Sequence, residues 1–279
     1  MFCPKSRDHF MKDILSTVIK QLDTQKTKFC RIKHKRGWLE YLEDGDLVFR
    51  ASELHDILRR VVDSEGKTPR GNKLLALRKK TTFTARKDKA PYRPEEALER
   101  FIIVSNSGNF YNQIPIGGRK ESIDIGITEN NSKLIFVELK PWKSTDSPLY
   151  AIVESLKNFM EYRIIQERSI ERLNDFDEIE LMILAPEAYY MEFGLIDSYG
   201  KTRIDKISIL KKTLRSISSE FKVNISFMVL QLDENNFHGT CRKIYDNRKV
   251  IGQGEIRLSE ADSIPILARD KWKLLVSSS

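Results

Sequence analysis

The chain has 279 residues, of which 40% are hydrophobic and 32% are charged. This composition supports the core of one large domain or two smaller ones and excludes a disordered tail. No apolar run is long enough to span a membrane, and the first residues lack the apolar stretch of a signal peptide. Three cysteines do not make a disulfide framework. We therefore expect a soluble, intracellular protein of the cytoplasm, nucleoid or nucleus.

The net charge of +8 is concentrated in the N-terminal third of the chain. Residues 1–90 contain 22 Lys/Arg against 12 Asp/Glu, whereas the remainder contains 26 against 28. Basic clusters at 31–36, 78–80 and 86–89 suit contact with a phosphate backbone. For any one cluster, the alternative is a solvated basic surface or a flexible arm. The asymmetry favours nucleic acid as a partner.

Two amphipathic segments in this basic part are predicted to be helices. The first spans about 10–22, and the second runs from Ser52, a plausible N-cap, to about Asp63. Residues 81–94 are basic, contain two prolines and are predicted to form a linker. We expect a smaller, basic, helix-rich nucleic-acid-binding region at 1–90 and a second domain at 91–279.

From Pro94 onward, helical and strand patterns alternate. The predicted elements are helix Glu95–Ile102, strands Gln113–Ile116, Ser122–Thr128 and Leu134–Lys140, helix Leu149–Gln166, strand Ile179–Ala185, helix Ile204–Phe221 and strand Val223–Leu230. Residues 249–258 are predicted to add a hairpin at an edge. This order predicts an α/β domain with a mixed β-sheet core flanked by helices.

Two of these strands carry the most informative charges in the chain. Because strand side chains alternate, Glu138 and Lys140 point to one face and Leu139 packs on the other. The polar turn before this strand places Asp124 of the preceding strand beside them. Two carboxylates and an ammonium group held together are costly unless they bind something, and a divalent cation with a phosphate suits them. The alternative is an edge strand with surface ion pairs.

The order of elements, with Asp124 and Glu138-x-Lys140 on adjacent strands, resembles the PD-(D/E)XK nuclease superfamily over about residues 95–185. The resemblance implies a restriction-endonuclease-like fold in which Asp124 and Glu138 bind Mg²⁺ (or Mn²⁺) and Lys140 positions or polarises the attacking water. The backbone carbonyl of Leu139 could add another metal ligand. These residue types suit in-line phosphodiester hydrolysis, which needs hard oxygen ligands and a cation near the developing charge.

Many members of the superfamily have a further acidic residue on the preceding helix, and Glu95 is the residue we assign to this metal-binding and catalytic position. On a helical wheel, Glu95 lies nearer the apolar stripe than Glu99 does. An ordinary glutamate in the first turn of a helix is the alternative. Two departures from the family pattern are Ile123 in place of a proline and a following helix without the glutamine of several branches. That helix offers Glu154, Ser155 and Lys157 instead.

The expected function is that of a metal-dependent endonuclease, a hydrolase that cleaves phosphodiester bonds. DNA is favoured as its substrate, and RNA is the alternative. A homodimer or a larger nucleoprotein assembly is expected if both strands are cut. One alternative is a non-catalytic nucleic-acid-binding or assembly protein that retains a nuclease-like fold. Another is a protein-interaction factor that does not touch nucleic acid.

Other motifs have simpler explanations. Cys3, His9, Cys30 and His34 have unsuitable spacing for a zinc site and are interpreted as incidental. Residues 117–120, Gly-Gly-Arg-Lys, lack the setting of a P-loop and are interpreted as a turn whose basic residues could touch a nucleic-acid backbone. Trp142 is expected to pack in the protein rather than to stack on a base.

Overall fold

A computed structural model of the chain describes residue 38, residues 55–56, 58–60, 77, 79–85, 93–115, 122–130 and 132–168, and residues 176–279. The described residues between 55 and 60 are helical, in agreement with the helix predicted to begin at Ser52. The predicted helix at 10–22, the basic clusters at 31–36 and 86–89, the cysteine and histidine set, and the turn at 117–120 lie outside the described residues.

A mixed six-stranded sheet forms the centre of the molecule. Its strands are β2 (Phe110–Pro115), β3 (Ser122–Glu129), β4 (Lys133–Leu139), β5 (Glu178–Pro186), β6 (Asn224–Leu230) and β8 (Lys273–Ser277), and they follow one another in that order across the sheet. Strands β2, β3 and β4 are antiparallel, β4, β5 and β6 are parallel, and β8 runs antiparallel to β6. The central strands therefore end at one common edge of the sheet.

Helices cover both faces of the sheet, as predicted for an α/β domain. They are α1 (Pro94–Ser105), α2 (Pro148–Arg168), α3 (Glu187–Glu192), α4 (Ile204–Phe221) and α5 (Glu234–Asn247). Buried residues of α2, α3 and α4 belong to one hydrophobic core, and those of α1 and α5 belong to a second core. Within the described part of the chain, no helix is both long and apolar enough to cross a membrane.

The alternation of β4 separates the two cores. Leu134 and Phe136 pack in the first core, whereas Ile135, Val137 and Leu139 pack in the second. This is the alternation that a strand covered on both faces requires. It fixes the face to which each residue at the end of β4 points.

The predicted strands and helices between residues 95 and 230 are confirmed, and the observed ends differ by a few residues. Helices α3 and α5 and strand β8 were not predicted. Helix α5 buries only Phe237 and Cys241, which is too short an apolar pattern to recognise, although the side chain of Asp233 caps it by accepting a hydrogen bond from the backbone N of Asn236. Strand β8 is five residues long and mostly exposed or half-buried.

The predicted linker at 81–94 is partly wrong, because Thr82–Thr84 form strand β1. This strand pairs with β7 (Glu255–Arg257) in a separate two-stranded sheet. Phe83 is buried and its ring contacts Phe101 of α1 at a centroid distance of 5.6 Å. The predicted hairpin at 249–258 is reduced to a single bridge between Ile251 and Glu255, and its second strand pairs with β1. Three-residue strands leave no readable alternation in a sequence, which explains the error.

Gly126 of β3 provides a test of the packing of the sheet. A Cβ atom at Gly126 would overlap Ile114 Cδ1 and lie 3.8 Å from Leu134 Cδ1. Gly126→Ala should therefore lower the free energy of unfolding by about 1–3 kcal/mol, measured by urea denaturation. Gly239 of α5 is the control, because its Cβ would meet no atom within 4 Å. Gly239→Ala should gain about 0.5–1 kcal/mol from helix propensity. A Gly126→Ala protein as stable as the wild type would contradict this packing.

Candidate functional site

Asp124 lies where the sheet is interrupted on both sides of β3. Pairing between β3 and β4 begins at Ile125 and Val137, one residue beyond Asp124. On the other side, the register between β2 and β3 omits the pair of Gln113 and Asp124, and Gln113 has a φ of 51°. Such a backbone conformation is uncommon for a residue other than glycine. The gap leaves the backbone N of Leu139 free to donate a hydrogen bond of 2.9 Å to Asp124 Oδ2.

The ammonium group of Lys140 is at the centre of the site. Its Nζ atom lies 2.7 Å from Glu138 Oε1, 2.7 Å from Glu154 Oε2 and 3.7 Å from Asp146 Oδ2. Lys140 is only 5% exposed and Glu138 only 7% exposed. The predicted grouping of Asp124, Glu138 and Lys140 at the end of β4 is therefore present, with two further acidic residues beside it.

Burial and mutual repulsion act on the carboxylates. Burial raises the pKa of Asp124 well above its ordinary value, and the charges of Glu95 and Glu99 raise it further. Burial also raises the pKa of Glu138 well above its ordinary value, and the charges of Glu154 and Asp124 add to the increase. The raised pKa values reflect burial and mutual repulsion that the single ammonium group does not offset. The site therefore favours an additional positive charge.

Lys140 and Glu154 form an ion pair that shifts the pKa values of both groups toward their charged forms. Burial would lower the pKa of Lys140, but the charges of Glu138, Glu154 and Asp146 outweigh it and raise that pKa well above the ordinary value. Burial would raise the pKa of Glu154, but the charge and hydrogen bond of Lys140 outweigh it and lower that pKa. Lys140 is therefore protonated at neutral pH and Glu154 is ionised. A protonated lysine can stabilise negative charge but cannot accept a proton.

Helix α1 contributes two glutamates to the electrostatics of the site. Glu95 is solvent-exposed as a residue, although burial of its carboxyl raises its pKa, which Lys140 lowers and Glu154 and Asp146 raise again. Glu99 is buried beside the fully buried Arg100, and burial raises the pKa of Glu99 to about 7 against the lowering effect of Arg100. The helical wheel predicted that Glu95 would lie nearer the apolar stripe, but Glu99 is the buried residue of the pair.

Arg100, which pairs with Glu99, makes a contact that the helical wheel does not include. Arg100 Nε donates a hydrogen bond of 3.0 Å to the backbone O of Thr82 in β1. Helix α1 therefore packs against β1 as well as against the main sheet, so that its apolar stripe is not its only buried side. Because β1 was predicted to be part of a linker, this second contact could not be anticipated.

Aromatic residues hold the chain on either side of the site. Tyr189 donates a hydrogen bond of 2.9 Å to the backbone O of Asp146, and Trp142 Nε1 donates one of 3.0 Å to the backbone O of Leu232. Trp142 is buried against Phe237, so its expected packing role is confirmed. These bonds fix the segment that joins β4 to α2. Asp146 is thereby held beside Lys140.

In the sequence, Glu154, Ser155 and Lys157 of the helix after Lys140 were the candidates to replace the family glutamine. Of these, Glu154 contacts Lys140, whereas the hydroxyl of Ser155 is buried without a hydrogen-bond partner among the described residues, and Lys157 pairs with Glu161 at 3.9 Å. The contribution of Asp146 was missed. An acidic residue just before the first turn of a helix was a usable signal, because such residues favour helix N-termini.

Asp124→Asn should raise the free energy of unfolding of the metal-free protein at pH 7. The amide oxygen can still accept the hydrogen bond from Leu139, while a charge repelled by Glu95 and Glu99 is removed. The folded-state pKa of Asp124 is raised, so the unfolded chain ionises first as the pH rises, and the cost of this charge appears above about pH 4. The gain should be near zero at about pH 4 and of the order of 1 kcal/mol or more at about pH 8.

Urea denaturation in EDTA across this pH range measures the gain. Asp177 is exposed, and Asp177→Asn is the control, with an expected change within about 0.5 kcal/mol. An Asp124→Asn protein that is less stable than the wild type at pH 7 would contradict the conclusion that the ionised carboxylate of Asp124 destabilises the folded protein.

Comparisons with known proteins do not place the chain in a family. No protein-family model matches the sequence, and no curated protein or solved structure matches it. The geometry and chemistry of the site are therefore the basis for assigning a function.

Proposed function

We propose that the protein is a metal-dependent nuclease that hydrolyses phosphodiester bonds, in DNA in preference to RNA. The observation that carries the proposal is the buried Lys140, bonded to Glu138 and Glu154 at the point where Asp124 interrupts the sheet. A surface ion pair would not need this burial. A site that binds a substrate with charged oxygens does benefit from burial, because electrostatic interactions are stronger away from water.

The order of elements supports a restriction-endonuclease-like core. Helix α1 precedes three antiparallel strands, β2 to β4, and helix α2 then connects β4 to the parallel strand β5. The PD-(D/E)XK superfamily has this order around its catalytic residues. Here the aspartate and the Glu-x-Lys element lie on β3 and at the end of β4, as the resemblance requires.

The donor set of the site fits a hard divalent cation, Mg²⁺ or Mn²⁺. Asp124, Glu138 and Glu95 supply carboxylate oxygens, the backbone of Leu139 supplies a carbonyl, and the excess negative charge favours a cation. As the side chains stand, no three acidic, cysteine or histidine residues within the described part of the chain are gathered to hold a metal ion. Glu138 bonds Lys140, and Asp124 accepts from Leu139 N, so these two carboxylates are engaged with protein donors. When bound, the ion would polarise the scissile phosphate and lower the pKa of an attacking water.

The protein residues have distinct tasks in the proposed hydrolysis. The water loses a proton to solvent and forms a bond to phosphorus while the bond to the leaving oxygen breaks. That oxygen takes up a proton from solvent, and negative charge grows on the phosphate oxygens during the step. Lys140 is protonated and stabilises this charge. Glu154 and Asp146 hold the ammonium in place, and the hydrogen bond from Leu139 N orients Asp124. The basic N-terminal region would grip the nucleic acid, and cleavage of both strands would call for a homodimer or a larger nucleoprotein assembly.

Lys140→Ala should reduce metal-dependent cleavage by about 10²–10³-fold, because it removes the cation that stabilises the developing charge. A panel of labelled DNA and RNA substrates with Mg²⁺ or Mn²⁺ measures the rate. Lys143→Ala is the matched control, since the side chain of Lys143 is 82% exposed and pairs with Glu234 on the surface. Its rate should equal that of the wild type.

Asp124→Asn should also abolish cleavage while the protein remains folded. In addition, Mg²⁺ should raise the melting temperature of the wild type but not that of Asp124→Asn. Equal rates of cleavage by the wild type, Lys140→Ala and Asp124→Asn would contradict the proposal. Steeply salt-dependent binding of nucleic acid without hydrolysis or a metal effect on melting would instead identify a non-catalytic binding or assembly protein.

Glu154 is proposed to hold Lys140 by position more than by charge. Glu154→Gln keeps an oxygen that can accept from Lys140 Nζ, so cleavage should stay within about tenfold of the wild type. Glu154→Ala removes the acceptor and should cost about 100-fold, because misplaced catalytic groups lose about that much. Single-turnover rates at saturating substrate separate this effect from binding. An equal loss in both variants would show that the negative charge of Glu154 is what matters.

A further inference from the structure

The loop between α3 and α4 and the first residue of α4 each expose an apolar side chain. Tyr199 is 85% exposed and Ile204 is 78% exposed, which makes them the most exposed of the large hydrophobic residues in the described part of the chain. They are separated by Lys201 and Arg203, which are also exposed. Scattered apolar residues are ordinary on a surface, but two exposed apolar residues interleaved with two cations form a local pattern.

Hydrogen bonds hold this loop in one conformation. Asp197 Oδ1 accepts from the backbone N of Tyr199 and from that of Lys201, each at 2.9 Å. The backbone N of Asp197 donates to the O of Lys201 at 2.9 Å, and Ile196 pairs with Thr202. Gly200 has a φ of 75°, which suits glycine at the turn. Tyr199 is therefore presented to solvent from a fixed backbone, which lowers the entropy lost when its ring binds a partner.

The charge of the surrounding segment is strongly positive. Between residues 199 and 215 the sequence has six basic residues, Lys201, Arg203, Lys206, Lys211, Lys212 and Arg215, and a single acidic one, Asp205. Arg203 Nη2 lies 3.5 Å from the carboxylate Oδ2 of Asp205, the single acidic residue of the segment. The second domain as a whole has slightly more acidic than basic residues, so this segment departs from its surroundings. A polyanion complements it.

The loop lies at the same edge of the sheet as the candidate site. Strands β4 and β5 are parallel, Lys140 follows β4, and α3 begins at Glu187 directly after β5. Tyr189 of α3 donates to the backbone O of Asp146, whose carboxylate is 3.7 Å from Lys140 Nζ. From α3, the backbone O of Tyr190 accepts from the N of Leu195, where the loop begins. A short chain of contacts therefore joins the site to the loop.

We propose that this loop is a nucleic-acid contact in which the ring of Tyr199 stacks on an unpaired base and Lys201 and Arg203 bind the adjoining phosphates. Aromatic rings accept any base as a stacking partner, and cations beside them follow the backbone. The partner's identity rests on the proposed nuclease function. The loop would position a single-stranded or frayed segment of nucleic acid beside the candidate site. The carboxylates around Lys140 do not themselves provide this preference for unpaired bases.

Binding of a fluorescent oligothymidylate by the full chain in EDTA, followed by anisotropy, tests the contact without cleavage. Tyr199→Ala should weaken binding about tenfold, and Tyr199→Phe, which keeps the ring, should bind as the wild type does. Lys201→Ala should reduce the slope of log affinity against log salt by about one unit. Ile251→Ala is the matched control for loss of an exposed apolar side chain, since Ile251 is 48% exposed and lies near β7 instead of this loop.

Unchanged affinity in Tyr199→Ala would overturn the contact, and so would an equal loss in Tyr199→Phe. Loss of a salt-insensitive protein complex in Tyr199→Ala, with oligonucleotide binding intact, would also overturn it and assign the surface to a protein partner. The outcome is separable from that of the nuclease proposal. Lys140→Ala affects cleavage and Tyr199→Ala affects binding in the absence of metal, so either result can fail while the other stands.

Discussion

The buried ammonium group of Lys140 is the constraint on which the arrangement of the site depends. Removing a lysine from water is costly unless acceptors surround it, and Glu138, Glu154 and Asp146 provide them. These acceptors come from the end of β4, from α2 and from the segment between them. One charge thus fixes three pieces of chain relative to one another. The packing of α2 on the sheet and the geometry of the candidate site consequently depend on each other.

The site around Lys140 has more acidic groups than its one ammonium group can pair with. The carboxylates of Asp124 and Glu138 have raised pKa values because they are buried near other acids, and helix α1 adds Glu95 and Glu99 to them. A protein selected only for stability would not keep this surplus, since buried like charges oppose folding. The surplus is what a binding site for a cation needs. Stability and the proposed activity therefore make opposite demands on the same side chains.

Sequence patterns predicted the parts of this structure that depend on local order. The alternation of β4 was sufficient to place Glu138 and Lys140 on one face, and the turn before it brought Asp124 alongside. Residues that act through long-range packing were not predictable in this way. Arg100, which pairs with the buried Glu99, bonds β1, and Tyr189 bonds the backbone of Asp146 beside Lys140. Neither contact leaves a periodic signal, since each joins segments that are distant in the chain.

Strand β1 has a consequence for the order in which the chain can fold. It lies in the first third of the sequence and, among the described strands, pairs with β7, which is synthesised only after β2 to β6 and α5. Until then Phe83 and the buried Arg100 lack part of their surroundings. Strands β3 and β4, in contrast, are neighbours in sequence and can pair as soon as they leave the ribosome. The hairpin of β3 and β4 is therefore expected to form early, whereas the layer that packs on α1 is completed only after β7 has been translated.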